Sequence, residues 1–270
     1  EPEIFIINIE NNIQSMSSVI NSAIDRWKKI LKNKLPDGVT PITIHFSSFT
    51  PNDNRIKLTA DMLSIQTVSG DVIDVEAGMV TGDFAFGEVF PKIGKISLTQ
   101  IHTITEAEIL HEIGHILGIG LFWGFNGAPL LYGPTTNENP HNLFYTGINA
   151  LAAYKSFIPD SLKDEIVGIP IEDDGIIGTV NLHLEEGYSD LINSHNNRTY
   201  KGVHHPGLHN ELMTSVSNLN NKLSIITIGF LADLGYNVDY NQADEYDLMG
   251  PLALEQEHPN IHHYLPESTN

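Results

Sequence analysis

The chain has 270 residues, 41% of them hydrophobic, which is enough to bury a sizeable core in one domain or two. Its 34 Asp and Glu outweigh 14 Lys and Arg, and the formal charge of −20 argues against unassisted binding to nucleic acid or to an anionic membrane. No apolar run approaches the roughly 18 residues of a membrane span, and the absence of cysteine excludes a thiol nucleophile, a Cys-ligated zinc and a disulfide framework.

In chain order, Ile4 to Ile9 reads as a strand, and Ile13, Met16, Ile20, Ile24, Trp27 and Leu31 trace one face of a long helix ending near Pro36-Asp37-Gly38. Ile42 to Phe46 alternates as a second strand. Val72 to Val75, Met79 to Phe86 and Ile96 to Ile101 are further strand candidates, separated by Gly and Pro. Phe84 to Phe90 is a candidate edge strand to which an extended peptide adds by backbone pairing, with an ordinary hairpin as an equal alternative.

The next segment carries chemistry. Thr105-Glu106-Ala107-Glu108 has the form of a capping box and predicts a helix start, while Leu110, Ile113 and Leu117 give that helix a buried stripe and Gly118 a stop. Within it stands His111-Glu112-Ile113-Gly114-His115. Residues i and i+4 lie above one another on a helix, so both imidazoles reach one metal ion. Glu112 is then placed as general base towards a metal-held water rather than as a further ligand. The bland alternative is an ordinary amphipathic helix with a solvated Glu between two His.

A hydrolytic zinc site uses three protein ligands and keeps one position for water, so a third donor must come from elsewhere. In the compact metzincin pattern a His follows the Gly by three residues, but here that position is Leu121. A thermolysin-like arrangement would use Glu138, which lies in the loop-forming run Pro134 to Pro140.

These residues, with several later stretches in the same order, resemble the leishmanolysin-like family of metzincin zinc proteases, in which a long insertion separates the helical motif from the third His. The stretches are His111 to Gly118, Thr146 to Tyr154, Pro170-Ile171-Glu172, Gly178 to Glu186, Asn210 to Thr214 and Leu223 to Tyr236. The lack of cysteine is similar to the microbial branch rather than to the cysteine-rich eukaryotic surface members. The family's Gly-Thr-x-x-x-His pattern falls on Gly178 to His183 and so implies His183 as third ligand. It also implies Met213 as the Met-turn methionine, a hydrophobic floor beneath the metal.

Three departures stand beside the match. Thirty positions (213 − 183) separate His183 from Met213, more than in relatives, and the extra segment holds His195, His204 and His205, with His209 just after it. His204, His205 and His209 therefore remain alternatives to His183, whereas His195 reads as part of a polar surface loop. Leu184 replaces the family's aromatic, and Ser215 stands where compact metzincins often place a Tyr.

Elsewhere, residues 121–208 are rich in Asn, Gly, Pro and His and read as loops around the cleft, with short helices at Ala150 to Phe157 and Ser161 to Ile166. Ser224 is a good N-cap for a helix from Ile225 to Leu234, stopped by Gly235. Glu172-Asp173-Asp174 and Asp244-Glu245-Tyr246-Asp247 read as solvated acidic loops in preference to calcium sites, for which nothing else speaks. Residues 244–270, with His258, His262 and His263, form an acidic tail or packed extension. Glu1 in place of a start Met, with no visible signal peptide, fits a processed chain that has lost a leader and propeptide.

The expectation is thus an α+β metzincin-like fold: a single catalytic domain over residues 1–243, its N-terminal part (1–120) carrying the motif helix and its C-terminal part (121–243) the third ligand and Met-turn. The expected activity is that of a secreted zinc endopeptidase acting on proteins or peptides by attack of a zinc-bound water, with Glu112 as base and no nucleic-acid partner or membrane insertion. The alternative is a non-catalytic, zinc-stabilised binding or adhesion protein of the same fold. Oligomeric state is not readable.

Overall fold

The computed structural model describes residues 3–51, 56–75, 80–100, 102–133, 142–173, 179–186, 199–215 and 221–248. Its N-terminal half is built from β1 (Phe5–Ile9), α1 (Ser17–Ile30), β2 (Ile42–Phe49), β3 (Leu58–Thr67), β4 (Val72–Asp74), β5 (Val89–Thr99) and α2 (Glu106–Ile116). The strands form one mixed sheet in the order β1-β2-β5-β3-β4. β1, β2 and β5 run parallel, and β3 is antiparallel to both β5 and β4.

Alternation decides which face of the sheet is covered. Phe5, Ile42, Ile44, Phe46, Ile96 and Leu98 are buried in the core, whereas Ile6, Asn8, Thr43 and His45 on alternate positions stay exposed or half-buried. α1 and α2 pack together, and the Trp27 indole N–H donates to the Leu110 carbonyl at 3.2 Å. α2 also lies close on the sheet because Gly94 of β5 has no side chain. A Cβ there would sit 2.6 Å from the Ile116 side chain.

The C-terminal half contains a three-stranded antiparallel sheet, in which β7 (Leu143–Tyr145) lies between β6 (Leu130–Tyr132) and β8 (Ile169–Pro170), α3 (Ile148–Ser156), a hairpin of β9 (Thr199–Tyr200) and β10 (Val203–His204), and α4 (Ile225–Asp233). α3 and α4 pack backbone to backbone where Gly229 meets Ala150. Asp233, closing α4, accepts the Asn149 and Ala150 amide N–H groups at 2.8 and 3.1 Å and so caps α3. One core cluster runs from Ile4 to Tyr246 through both halves. The Tyr236 hydroxyl donates to Leu117 O just beyond α2, and Asp239 N–H donates to Ile30 O at the end of α1.

Several expectations are corrected. The single long N-terminal helix is a 3-10 segment, Asn11–Met16, followed by α1, with Ile13 off helical geometry at φ −119°. α1 stops at Ile30, before Pro36, because Lys32 and Asn33 take positive φ. β3 was not anticipated, and β5 is longer than the Ile96 to Ile101 candidate and starts at Val89; Ile101 lies outside the described residues. No strand forms over 80–86; Met79 lies outside the described residues, and Gly82 makes only an isolated bridge with Phe125.

Phe84 to Phe90 is not an edge strand. Residues 84–88 turn, Glu88 accepting the Ala85 N–H, and only Val89 and Phe90 are strand, entering β5 where they pair with Thr67 and Gln66 of β3, while β2 joins β5 from Ile93 onward. Ser161 to Glu165 is a run of turns rather than a helix. Among the described residues of 121–208, β6, β7, β8, β9, β10 and α3 are regular elements where the composition read mostly as loops. Asp244 is packed, paired with Arg26 at 2.7 Å and accepting the Leu223 N–H, and Tyr246 donates to His209 O; His258, His262 and His263 lie outside the described residues.

Candidate functional site

The motif helix begins as its sequence dictates. Thr105 Oγ1 accepts the Glu108 N–H at 3.2 Å and Glu108 accepts the Thr105 N–H at 2.8 Å, a complete capping box. Glu108 is buried and also binds Lys57 Nζ at 3.1 Å. Burial alone would raise its carboxyl, but the bonds from Thr105 and Lys57 outweigh burial and hold it below the ordinary value. Leu110, Ile113 and Leu117 are buried as the stripe required, and Gly118 ends the helix at φ +115°.

The fold brings His111 and His115 of α2 together with His183 of the segment 179–186. Their Nε2 atoms lie 3.0 Å (115 to 111), 3.0 Å (115 to 183) and 3.2 Å (111 to 183) apart. Each Nδ1 faces a carbonyl oxygen: His111 to Leu212 at 2.7 Å, His115 to Ile119 at 2.9 Å and His183 to Thr179 at 2.9 Å. A carbonyl can only accept, so each Nδ1 carries the ring proton and each Nε2 presents a bare lone pair. Three lone pairs converging at about 3 Å repel one another unless a cation lies among them.

The donors fit a zinc ion. Zinc–imidazole bonds are about 2.0–2.1 Å long, so one ion reaches all three nitrogen atoms at these separations. The Nδ1–H to carbonyl bonds are the outer contacts that orient metal-ligating imidazoles. Among the described residues no fourth His, Asp or Glu joins the group, a donor number typical of sites that keep a position for water. Burial depresses protonation of all three, reinforced in His115 by His111 and His183 and in His183 by His111. His183 is brought down to about 3 and His115 lies well below its ordinary value; in His111 burial outweighs the Leu212 bond.

Glu112 is half-buried beside the three His and is not part of that group. No described residue donates a hydrogen bond to its carboxylate, which leaves it available to water. Desolvation, followed by the charges of Asp61 and Glu108, pushes it up to about 8.

Met213 is fully buried, its sulfur 2.7 Å from where a Cβ on Gly114 would lie, so it packs directly under the helix between His111 and His115. Leu184 takes the Met213 carbonyl through its N–H at 2.9 Å, tying the His183 segment to the same turn. Gly120 was not singled out from the sequence. With φ +77°, any Cβ on it would collide with the Leu182 carbonyl, so only glycine lets the end of α2 approach the His183 segment.

The other histidines go elsewhere. His205 is buried with Nε2 accepting the Val167 N–H at 3.1 Å and Nδ1 facing Val203 O, and neither His204 nor His209 belongs to the metal-binding group. Glu138 and His195 lie outside the described residues. Glu172 and Asp173 are buried, against the solvated acidic loop that the sequence implied; Asp174 lies outside the described residues. Glu172 and Glu185 are each 1% exposed and lie with Glu186 in a second close group of carboxylates, where the Ser215 hydroxyl meets Glu172 at 2.9 Å and Glu186 at 3.1 Å. Glu172 is tied to the His183 segment, its N–H donating to His183 O at 3.0 Å and its C=O accepting the Asn181 N–H at 2.9 Å, a pairing across the fold that composition could not reveal.

No protein-family model matches the chain, and no curated protein matches it significantly.

Proposed function

We propose that the chain is a zinc-dependent endopeptidase of the leishmanolysin-like metzincin type. The observation that carries this reading is the convergence of three Nε2 lone pairs, two from buried His and one from the half-buried His111, each with its Nδ1 proton committed to a carbonyl, beside a carboxylate outside the group. His111, His115 and His183 would hold the ion. Zinc bound there supplies Lewis acidity that polarises a peptide carbonyl and acidifies water. Glu112 accepts the proton of the attacking water and passes it to the leaving amine. The Leu212, Ile119 and Thr179 carbonyls hold the three rings in place, and Met213 packs beneath them without bonding the metal, since a thioether is a poor match for a site filled by imidazoles. Protein or peptide substrates and secretion belong to the same reading. The reading does not call on calcium, although Glu172, Glu185 and Glu186 form a group of carboxylates that could hold a metal ion.

The second reading, a zinc-stabilised binding protein, shares the three ligands but gives Glu112 no task. The zinc-loaded chain should therefore cleave an unfolded protein, and Glu112→Gln should lower the rate by about 10²–10⁴-fold with zinc still bound. Unchanged, chelator-sensitive cleavage by the variant would exclude Glu112 as base. Failure of the loaded wild type to cut any member of a broad peptide library would favour the binding protein.

A further inference from the structure

The turn Glu211 to Thr214 bonds to one proposed ligand, His111, and touches the chain neighbours of the other two. Leu212 O takes the His111 Nδ1 proton, Met213 O takes the N–H of the residue after His183, and Met213 lies against Gly114 between the two helical His. The turn is already closed by its own backbone and by Thr214, whose N–H and hydroxyl both donate to Glu211 O. Closing it does not require the Glu211 side chain.

That side chain is nevertheless 0% exposed. Its Oε2 accepts the Met213 N–H at 2.7 Å. Its Oε1 accepts the Ser224 hydroxyl at 2.7 Å, the Thr227 hydroxyl at 2.6 Å and, more weakly, the Ser224 N–H at 3.3 Å, all at the N-terminus of α4. No Lys or Arg among the described residues pairs with it. A carboxylate buried on neutral donors alone carries a large desolvation cost, which a turn closed by other means does not explain.

The explanation lies in one peptide plane. Leu212 C=O and Met213 N–H belong to the same rigid amide: its N–H is held by Glu211 Oε2 and its C=O holds His111 Nδ1, both at 2.7 Å. The geometry points to Glu211 as a positioning residue of the metal centre, its carboxylate orienting and polarising the Leu212–Met213 peptide so that His111 presents Nε2 in one fixed direction. This inference rests on the metal-centre reading. A carboxylate acting on a ligand imidazole is an outer-shell contact, here relayed through an amide whose hydrogen bonds strengthen one another.

The test compares two variants of the whole chain. In Glu211→Gln the amide is uncharged, and if its oxygen keeps the Met213 N–H its NH2 group donates to the Ser224 and Thr227 hydroxyls but meets the Ser224 N–H donor to donor, so the charge that polarises the peptide and one of the anchoring bonds are lost. Thr227→Val removes one donor from the same carboxylate but leaves the Met213 bond. Zinc affinity is measured by chelator competition, and the His111 Nδ1 proton is followed by NMR. Glu211→Gln should raise the zinc Kd by about 10–100-fold and move the His111 proton upfield, whereas Thr227→Val should lower Tm yet change Kd by less than about threefold. If Glu211→Gln fails to fold, Glu211→Asp, one methylene short of Met213 N–H, takes its place with the same expectation. Wild-type affinity in the Glu211 variant, or losses in both variants that simply follow Tm, overturns the inference alone. A wild-type chain that takes up no zinc overturns the metal-centre reading and the inference with it.

Discussion

At Gly114 two local preferences conflict. Alanine is the better helix former by about 1 kcal/mol, and Gly114 lies within an otherwise regular α2. Yet a Cβ there would meet Met213 Sδ at 2.7 Å and Cε at 3.2 Å, so packing must win over propensity. Gly114→Ala should destabilise the chain by about 1–3 kcal/mol as an overpacked core position and weaken zinc binding by pushing Met213 into the turn that holds His111. Combined with Met213→Ala, the cost should be less than the sum of the two single changes, a coupling read from a denaturation double-mutant cycle. Additive costs would show that the two residues do not press on each other, and the close approach would then not be what keeps position 114 a glycine.

Among the elements, what was legible in the sequence was local. α2 could be read from Thr105 to Gly118 because every signal in it acts within one or two turns: the capping box, the stripe and the left-handed stop. Thr105→Ala should therefore cost about 1 kcal/mol, visible as a lower midpoint in urea, and an unchanged midpoint would mean that Lys57 and Glu108 hold the helix start without the cap. Ser224 announces α4 in the same way. β3 escaped notice because a bulge at Met62 to Ile65 breaks its alternation of buried and exposed residues. Pro91 and Gly94 disguised β5 as two pieces, although Gly94 is there to admit Ile116 of the motif helix. His183 was reachable only through resemblance, since its approach to α2 depends on Gly120 and Leu184, contacts across the fold that no spacing encodes. The Glu211 bonds belong to the same non-local kind.

On the scale of the whole molecule, the site joins the two halves of the chain, with two imidazoles from α2 and one from the segment near 183. Without metal this junction has opposing electrostatic demands. The three His hold folded-state values below the ordinary 6.5, so the unfolded chain binds protons they refuse, and metal-free stability falls as pH drops below about 6.5. Glu112 has the opposite sign: its folded value of about 8 lies above the ordinary 4.5, so its contribution is fully present below pH 4.5 and is lost as pH rises through 8. In chelator-treated protein, Glu112→Gln should thus melt close to wild type at pH 5 and above it by at least ~3 °C at pH 8. Zinc should reverse the comparison at the alkaline end, because a cation beside Glu112 favours its ionised form. At 100 times its Kd, zinc adds about 2.7 kcal/mol to the folded state, and the gain in Tm on loading wild type should be larger at pH 8 than at pH 5. A Glu112→Gln advantage that does not vary between pH 5 and pH 8 in the metal-free protein would mean that Glu112 is already ionised and solvated in the folded state. The carboxylate would then face open water rather than the partly buried pocket in which a base beside three imidazoles is expected to work.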